Sequence, residues 1–182
     1  MIPPGLIDSN CEIFVSDGEL YALVGGSKVP FKALPDGFRQ ALENDMILHN
    51  ATGFAEQKCG SDIHELVLEQ YAKCNFGNFN NQADFTSKGM ILTHEYFECG
   101  ERGTCKFEGK LCKHIRVANG FLSPREVIYL KLVAVGKLGK EIAELMHISE
   151  ATVPSYHDKV QQKTGLHTKT EMTGLAYKLG LV

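Results

Sequence analysis

Apolar residues recur at helical spacing in four segments of the last sixty or so residues, and most of these segments carry a start signal. The first follows Ser123, with Pro124 at the first helical position and Glu126 three residues after the cap, which is a capping box. Gly136 tolerates the left-handed conformation that ends helices, so the first predicted helix stops before it. A second predicted helix covers about residues 140–146.

The third and fourth predicted helices follow a tight turn at residues 147–148. Ser149 caps the third helix and Gly165 ends it, while Thr168 and Glu171 repeat the capping-box pattern at the start of the fourth. A helix, a short turn and a second helix make the arrangement that presents one helix to the major groove of DNA. The C-terminal segment is therefore predicted to be an all-α, four-helix domain that contains a helix-turn-helix.

Five short motifs at fixed spacing in this segment resemble the LuxR-type helix-turn-helix. They are LSPRE at 122–126, GKEIAEL at 139–145, ISEATV at 148–153, TGLHTKTE at 164–171 and LAYKLGL at 175–181. The resemblance covers about a third of the chain and runs without a gap. It implies a regulator of transcription whose third helix enters the major groove of double-stranded DNA. The fourth helix of such a module commonly contributes to a homodimer.

The third predicted helix departs from the family pattern at three positions. Family members usually carry a basic or polar residue after the Thr-Val pair and further basic residues on the same face, where this chain has Pro154, Ser155 and Asp158. Pro154 lacks a backbone N–H and its ring crowds the carbonyl of Glu150, so the first turn is predicted to kink or tighten. Asp158 either accepts a hydrogen bond from cytosine N4 or faces solvent and weakens binding. In both cases we expect weaker DNA binding than in a typical family member.

Six residues of this segment are the predicted DNA contacts. Ser155 and Asp158 are expected at base edges, and Lys140 and Lys163 at phosphates. The full set is Lys140, Thr152, Ser155, Asp158, Lys159 and Lys163. The motif also predicts dimeric binding to half-sites about one helical turn apart.

The N-terminal half has a different pattern of apolar and polar positions. Three short β-rich runs are separated by Asp17-Gly18 and Gly25-Gly26, which predicts a small antiparallel meander. Amphipathic helical patterns then begin at Asp36 and at Asp62. Together these elements predict an α+β fold.

Two domains are therefore predicted. Residues 1–118 form an α+β domain with a small antiparallel meander, helices and a cysteine-rich loop, and residues 119–182 form the all-α helix-turn-helix domain. The connection over residues 115–121 is predicted to be a short linker.

Four cysteines have the composition of a metal site: Cys74, Cys99, Cys105 and Cys112. Glycines between the last three allow the backbone to fold tightly enough for thiolates to converge. Structural zinc takes four thiolates, although its commonest spacing is closer than the intervals found here. The spacing also resembles that of some iron–sulfur regulators, and a third alternative is no metal at all. His94 and His114 are spare candidates for a fourth ligand.

Composition and charge place the chain among folded, mildly acidic proteins. Hydrophobic residues make up 43% and charged residues 23% of the 182 residues, which are ordinary globular values, and the formal net charge is −3. The charge is divided unevenly, because residues 121–182 hold eight Lys plus Arg against six Asp plus Glu. Only this C-terminal part has the sign expected next to nucleic acid, and non-specific DNA affinity is expected to be modest.

Several classes of protein are not expected. The N-terminus has neither the basic start nor the long apolar run of a signal peptide, and no stretch is long enough for a membrane helix, so a cytoplasmic protein with reduced cysteines is expected. An enzyme is not expected, because the sequence shows neither a nucleophile paired with a base nor a glycine-rich phosphate loop.

These patterns favour a DNA-binding transcriptional regulator with an N-terminal sensing or dimerising domain that can carry a metal. The alternative is a protein-interaction or metal-sensing module whose helix-turn-helix no longer binds DNA strongly.

Overall fold

The computed structural model describes residues 3–92, 94–102, 104–112 and 114–182. The chain forms two compact units. The first consists of Met1–Cys99 and Lys106–Lys113, and the second of Gly100–Cys105 and His114–Val182. The predicted domain boundary after residue 118 lies within the second unit.

A three-stranded antiparallel sheet opens the first unit. Its strands are β1 (Cys11–Ser16), β2 (Glu19–Val24) and β3 (Ser27–Pro30), in the order β1-β2-β3. Asp17 and Gly18 join β1 to β2 with φ values of 53° and 84°, and Gly25 and Gly26 join β2 to β3 with φ values of 58° and 79°. Two consecutive positive φ angles match the right-handed twist of the strands, which is why these dipeptides make tight hairpins. The predicted meander is confirmed.

Three helices follow the sheet: α1 (Asp36–Leu48), α2 (Thr52–Cys59) and α3 (His64–Phe76). The first and third match the two predicted helices, whereas α2 was not predicted. Its eight residues include Gly53 and only a few apolar side chains, so it carries a weak amphipathic pattern. Gly60 ends it in a left-handed conformation with a φ of 69°.

Aromatic rings fill the core of the first unit. Phe85, which lies in the long segment after α3, is fully buried against Phe38 and Phe76 at centroid distances of 5.6 and 5.5 Å. Its backbone exchanges hydrogen bonds of 3.1 and 3.0 Å with Cys11 of β1. Apart from isolated bridges, the described residues between 77 and 112 contain no helix or strand. The irregular loop predicted there is confirmed.

Three carboxyl groups are buried together in the first unit. The Asp84 carboxylate accepts a hydrogen bond from the Ile13 backbone at 2.6 Å, and Asn80 donates to both Glu12 and Glu95. Burial raises the pKa of Glu12 to about 8 and that of Glu95 to about 7, and raises the pKa of Asp84 well above its ordinary value. The negative charge of Glu95 also raises the pKa of both other carboxyls.

From His114 onward, the second unit consists of a small hairpin followed by four helices. The hairpin strands are β4 (Arg116–Val117) and β5 (Gly120–Phe121), so the expected linker is in part regular structure. The helices are α4 (Pro124–Ala134), α5 (Gly139–Met146), α6 (Val153–Thr164) and α7 (Lys169–Lys178), which confirms the four predicted helices and the predicted fold class. None of the described helices combines the length and the apolar character that crossing a membrane requires.

Helix α4 is the centre of the second unit, because α5, α6 and α7 all pack against it. Apolar side chains from all four helices are buried: Val127, Leu130, Val133, Ile142, Met146, Val160, Met172 and Ala176. Both predicted capping boxes are present, with Ser123 and Glu126 opening α4 and Thr168 and Glu171 opening α7.

Candidate nucleic-acid interface

A sharp reversal at His147 separates α5 from α6. His147 has a left-handed backbone, with φ and ψ both 51°, which is uncommon for a residue with a side chain. The backbone N–H groups of His147 and Ile148 donate to carbonyl oxygens of Glu144 and Ala143 at 3.1 and 2.9 Å. These bonds satisfy the carbonyls at the end of α5 and turn the chain toward α6.

The start of α6 is tightened, as predicted from Pro154. Glu150–Thr152 form a single 3-10 turn, and the α-helix begins only at Val153. Pro154 is then the second helical residue, where a backbone N–H has no acceptor within the helix. The missing N–H therefore costs α6 no hydrogen bond.

One face of α6 is open to solvent along its length. We call this face the outer stripe, and it consists of Pro154, Ser155, Asp158, Lys159 and Gln162, all exposed. The spacing of three and four residues places these side chains on one side of the helix. Val153, Val160 and Thr164 lie on the opposite side and are buried.

Tyr129 of α4 holds the middle of α6 in place. Its hydroxyl lies 3.1 Å from Nδ1 of His157, and its ring stacks on Tyr156 at a centroid distance of 6.1 Å. Burial and the negative charge of Asp158 raise the pKa of the Tyr129 hydroxyl. The phenol therefore stays neutral and available for this hydrogen bond.

An ion pair holds the last turns of α6 against the start of α4. Nζ of Lys163 lies 2.7 Å from Oε2 of Glu126, and the same oxygen accepts the Ser123 backbone N–H at 2.7 Å. Burial raises the pKa of Glu126, but the hydrogen bonds from Lys163 and Ser123 outweigh it and bring the pKa below its ordinary value. Glu126 thus completes the capping box of α4 and, through Lys163, also fixes the position of α6.

Asn119 caps the C-terminal end of α6 from the hairpin. Its backbone N–H donates to the carbonyl of Lys163 at 2.8 Å, and its side-chain amide donates to the carbonyl of Gln162 at 2.9 Å. Gly165 then ends the helix with a φ of 72°. Sequence reasoning missed Asn119, since no local pattern connects it with carbonyls more than forty residues away.

The structure brings together some of the predicted DNA contacts. Ser155, Asp158 and Lys159 share the outer stripe, and Lys140 is exposed at the second residue of α5. Thr152 is half-buried and its hydroxyl lies 2.7 Å from that of Ser149. Lys163 is directed to Glu126. The DNA contacts stay a prediction, and Lys163 has a second role that the sequence did not show.

Comparison with known proteins finds a family match for the helical part of the second unit. Residues 121–176 match the family model described as bacterial regulatory proteins, luxR family. Residues 121–176 are a LuxR-type domain. This confirms the family resemblance, and the region matched contains all of α4, α5 and α6 and most of α7.

Curated relatives of the LuxR-type domain are named as regulators of transcription. The HTH-type quorum sensing-dependent transcriptional regulator VjbR of Brucella abortus is 34% identical over 71 residues, which are 39% of this chain and 27% of that protein. The HTH-type transcriptional activator RamA of Corynebacterium glutamicum is 42% identical over 59 residues, which are 32% of this chain and 21% of that protein. The chain thus spans about a quarter of the length of the relatives it matches. No solved structure matches the chain significantly.

The four cysteines predicted to bind metal are thiols in different surroundings. Cys74 and Cys112 are buried, Cys105 is half-buried and Cys99 is exposed, and Gln70 donates a hydrogen bond to the sulfur of Cys74 at 3.2 Å. Cys105 belongs to the second unit and the other three to the first. Those three are not among the described groups whose ligand atoms lie within 4.8 Å of one another. The cysteine metal site stays a prediction.

The two spare histidines have separate surroundings. His114 is exposed in the second unit. His94 is half-buried in the first unit, where its Nε2 lies 2.6 Å from Oδ2 of Asp45. His94 is thus placed beside a carboxylate of α1 and another histidine, His49.

Proposed function

We propose that this protein is a DNA-binding transcriptional regulator that acts through its LuxR-type domain. The observation that carries the proposal is the outer stripe of α6, which is exposed while the opposite face of the same helix is fixed by α4. An exposed helix held rigidly after a short turn is the element that such motifs insert into the major groove. The names of the curated relatives describe regulators of transcription and not enzymes, which supports the same function.

The proposed contacts divide by position. Ser155 and Asp158 face base edges from the outer stripe, and Asp158 accepts a hydrogen bond from cytosine N4. Lys140 at the start of α5 and Lys159 on α6 contact phosphates, and Thr152 contributes from the turn. Lys163 contacts phosphate only from its exposed side, because its ammonium is bonded to Glu126.

The remaining parts of the proposal concern assembly and the N-terminal unit. The protein binds DNA as a homodimer in the cytoplasm, with α7 contributing to the contact between copies. The first unit senses a signal or contributes to the dimer, and Cys74, Cys99, Cys105 and Cys112 bind zinc or, as the alternative, an iron–sulfur cluster.

A second candidate function is favoured by the charges on the outer stripe. Asp158 offsets Lys159 there, and Lys163 is neutralised by Glu126. An outer stripe with so little net positive charge attracts phosphate weakly, which favours a protein-interaction or metal-sensing module that binds DNA weakly.

The test is fluorescence anisotropy of the full-length protein with labelled genomic fragments at low and moderate salt. We expect binding that weakens steeply with salt, since each neutralised phosphate releases counterions. Lys140→Ala and Lys159→Ala should each weaken binding to all sequences and lower the salt slope by about 1. Lys88→Ala removes the same charge from an exposed position in the first unit and serves as the matched control.

Two results would contradict the proposal. The first is no binding at low salt to any fragment in a pool that covers the genome, which would favour the second candidate. The second is equal loss of affinity in Lys88→Ala and Lys140→Ala, which would mean that net charge and not the LuxR-type domain determines binding.

A further inference from the structure

Two imidazoles and a carboxylate converge in the first unit. Asp45, His49 and His94 each offer one ligand atom, and these atoms all lie within 4.8 Å of one another. Nε2 of His94 lies 2.6 Å from Oδ2 of Asp45. Nδ1 of His49 lies 3.1 Å from Oδ1 of the same carboxylate and 2.8 Å from the backbone carbonyl oxygen of Asp45, a contact that it gives up when it binds a metal. The two histidines thus approach opposite oxygens of one aspartate.

The chain brings these groups together from two elements. Asp45 and the C-cap residue His49 are four residues apart at the end of α1, so their side chains lie on the same face. His94 comes from the irregular segment after α3, and backbone bonds fix it on both sides. Leu92 N–H donates to Asp84 at 2.8 Å, and Glu95 N–H donates to Asn75 at 2.8 Å.

Neighbouring groups orient the three side chains. The buried Tyr71 hydroxyl donates to Oδ2 of Asp45 at 2.5 Å, and the ring of Phe76 lies against that of His94 at a centroid distance of 5.1 Å. A donor that orients a carboxylate ligand is the outer-sphere support that metal sites commonly have.

The group is sheltered but not closed. The side chains of Asp45 and His94 are 11% and 15% exposed, whereas that of His49 is 36% exposed. Ions therefore reach the group from the His49 side, and an ion held by three protein ligands would take its fourth ligand, a water or a small molecule, from that side. Three protein ligands and an accessible fourth position distinguish such a site from a closed structural one.

We propose that Asp45, His49 and His94 bind a single divalent transition metal ion, with zinc the preferred ion. Two imidazole nitrogens and one carboxylate oxygen are a ligand set typical of zinc and of ferrous iron. Zinc bonds of about 2.0–2.2 Å place ligand atoms roughly 3 to 3.5 Å apart, so the side chains need only small adjustments. This site is separate from the cysteines and does not depend on the proposed DNA binding.

Cobalt(II) is the probe that separates this site from a cysteine site. Thiolate ligands give cobalt(II) intense charge-transfer absorption in the near ultraviolet, whereas nitrogen and oxygen ligands give only weak bands in the visible. We expect the full-length protein with Cys99, Cys105 and Cys112 replaced by serine, stripped with a chelator, to bind cobalt(II) with weak visible bands and to release it when zinc is added.

Variants of each ligand complete the test. Asp45→Asn, His49→Gln and His94→Gln should each lower cobalt(II) and zinc affinity by tenfold or more, measured by titration calorimetry. His64→Gln removes an imidazole that is 65% exposed on α3 and should bind as the unchanged protein does. Circular dichroism shows whether each variant is folded. His49 is the most exposed ligand, so His49→Gln should fold even if the variants of the more buried Asp45 and His94 do not.

Three outcomes would overturn the proposal. One is the absence of cobalt(II) and zinc binding by the folded, unchanged protein. Another is unchanged cobalt(II) and zinc affinity both in His49→Gln and in whichever of Asp45→Asn and His94→Gln folds. The last is the loss of every cobalt(II) band in the folded variant with Cys99, Cys105 and Cys112 replaced by serine, which would assign the metal to the cysteines.

Discussion

The ammonium of Lys163 lies 2.7 Å from a carboxylate oxygen of Glu126, whose side chain is 5% exposed. The pair joins the third helix of the LuxR-type domain to the first, 37 residues earlier in the chain. Lys163 therefore stabilises the position of the helix that carries the proposed reading face, whether or not it also contacts phosphate.

Removing Lys163 should destabilise the LuxR-type domain. Lys163→Met leaves the buried Glu126 carboxylate without its cation, at an expected cost of roughly 1 to 3 kcal/mol, moderated because the lysine end is partly exposed. Urea unfolding followed by circular dichroism measures this cost. The double variant Glu126→Gln with Lys163→Met should recover part of it, because no charge is then buried alone. A double variant less stable than Lys163→Met would contradict the pairing.

The buried carboxyls Glu12, Asp84 and Glu95 should make the first unit less stable at high pH. A carboxyl whose pKa is raised in the folded state contributes stability that is fully present below its unfolded pKa. That stability is lost as the pH rises through the folded values, which are about 7 for Glu95 and about 8 for Glu12. Hydrogen exchange of peptides from β1 and β2 between pH 5 and pH 9, corrected for intrinsic exchange rates, measures it.

Glu95→Gln should flatten that pH dependence, because the amide keeps an acceptor for Asn80 and does not ionise. At pH 9 the variant should be more stable than the unchanged protein by on the order of 2 kcal/mol. Glu19→Gln, at an exposed position of β2, is the matched control and should leave the slope unaltered. Equal slopes for the Glu95→Gln variant and the unchanged protein would show that Glu95 does not titrate in this range.

Asp158→Asn should strengthen non-specific DNA binding. The change removes a negative charge from the outer stripe, where it faces solvent or duplex, and keeps the size of the side chain. We expect tighter binding to unselected fragments, by about threefold to tenfold at low salt, with the difference shrinking as salt is added. At the preferred site binding should weaken, because the proposed hydrogen bond from cytosine N4 to Asp158 is lost. Identical binding curves on all fragments would place residue 158 outside the interface.

Pro154→Ala should change the stability of the LuxR-type domain little, by less than about 1 kcal/mol, because the second helical residue donates no bond within α6. The midpoint of thermal unfolding measures this. Introducing a proline in the middle of the helix, as in Gln161→Pro, should destabilise the domain by about 3 kcal/mol or more, because the backbone N–H at that position donates a hydrogen bond within α6. A large loss of stability in Pro154→Ala would mean that the proline sets the tightened first turn.

The helices were predictable because their signals are local. Ser123 with Glu126 and Thr168 with Glu171 are only three residues apart, so each pair specifies a helix start without information from the rest of the fold. Helix α2 was missed because it lacks such a signal: Gly53 and the sparse apolar residues leave no clear local pattern.

The sites were less predictable because they depend on residues far apart in sequence. Asp45 and His94 are 49 residues apart, and Asn119 and Gln162 are 43 residues apart. A lysine at a helix end is equally compatible with phosphate contact and with an ion pair, and only the packing of α6 on α4 showed that Lys163 has Glu126 as its partner.

The cap that Asn119 places on α6 determines how short a functional fragment can be. A truncated protein that begins at Phe121, where the family match begins, lacks both amide donors and leaves the carbonyls of Gln162 and Lys163 to water. The last turn of α6 would fray, and Lys163 would lose its fixed approach to Glu126. Binding measured on that fragment would underestimate the affinity of the LuxR-type domain, whereas a fragment that starts at His114 retains the hairpin and should bind DNA more tightly than the shorter one.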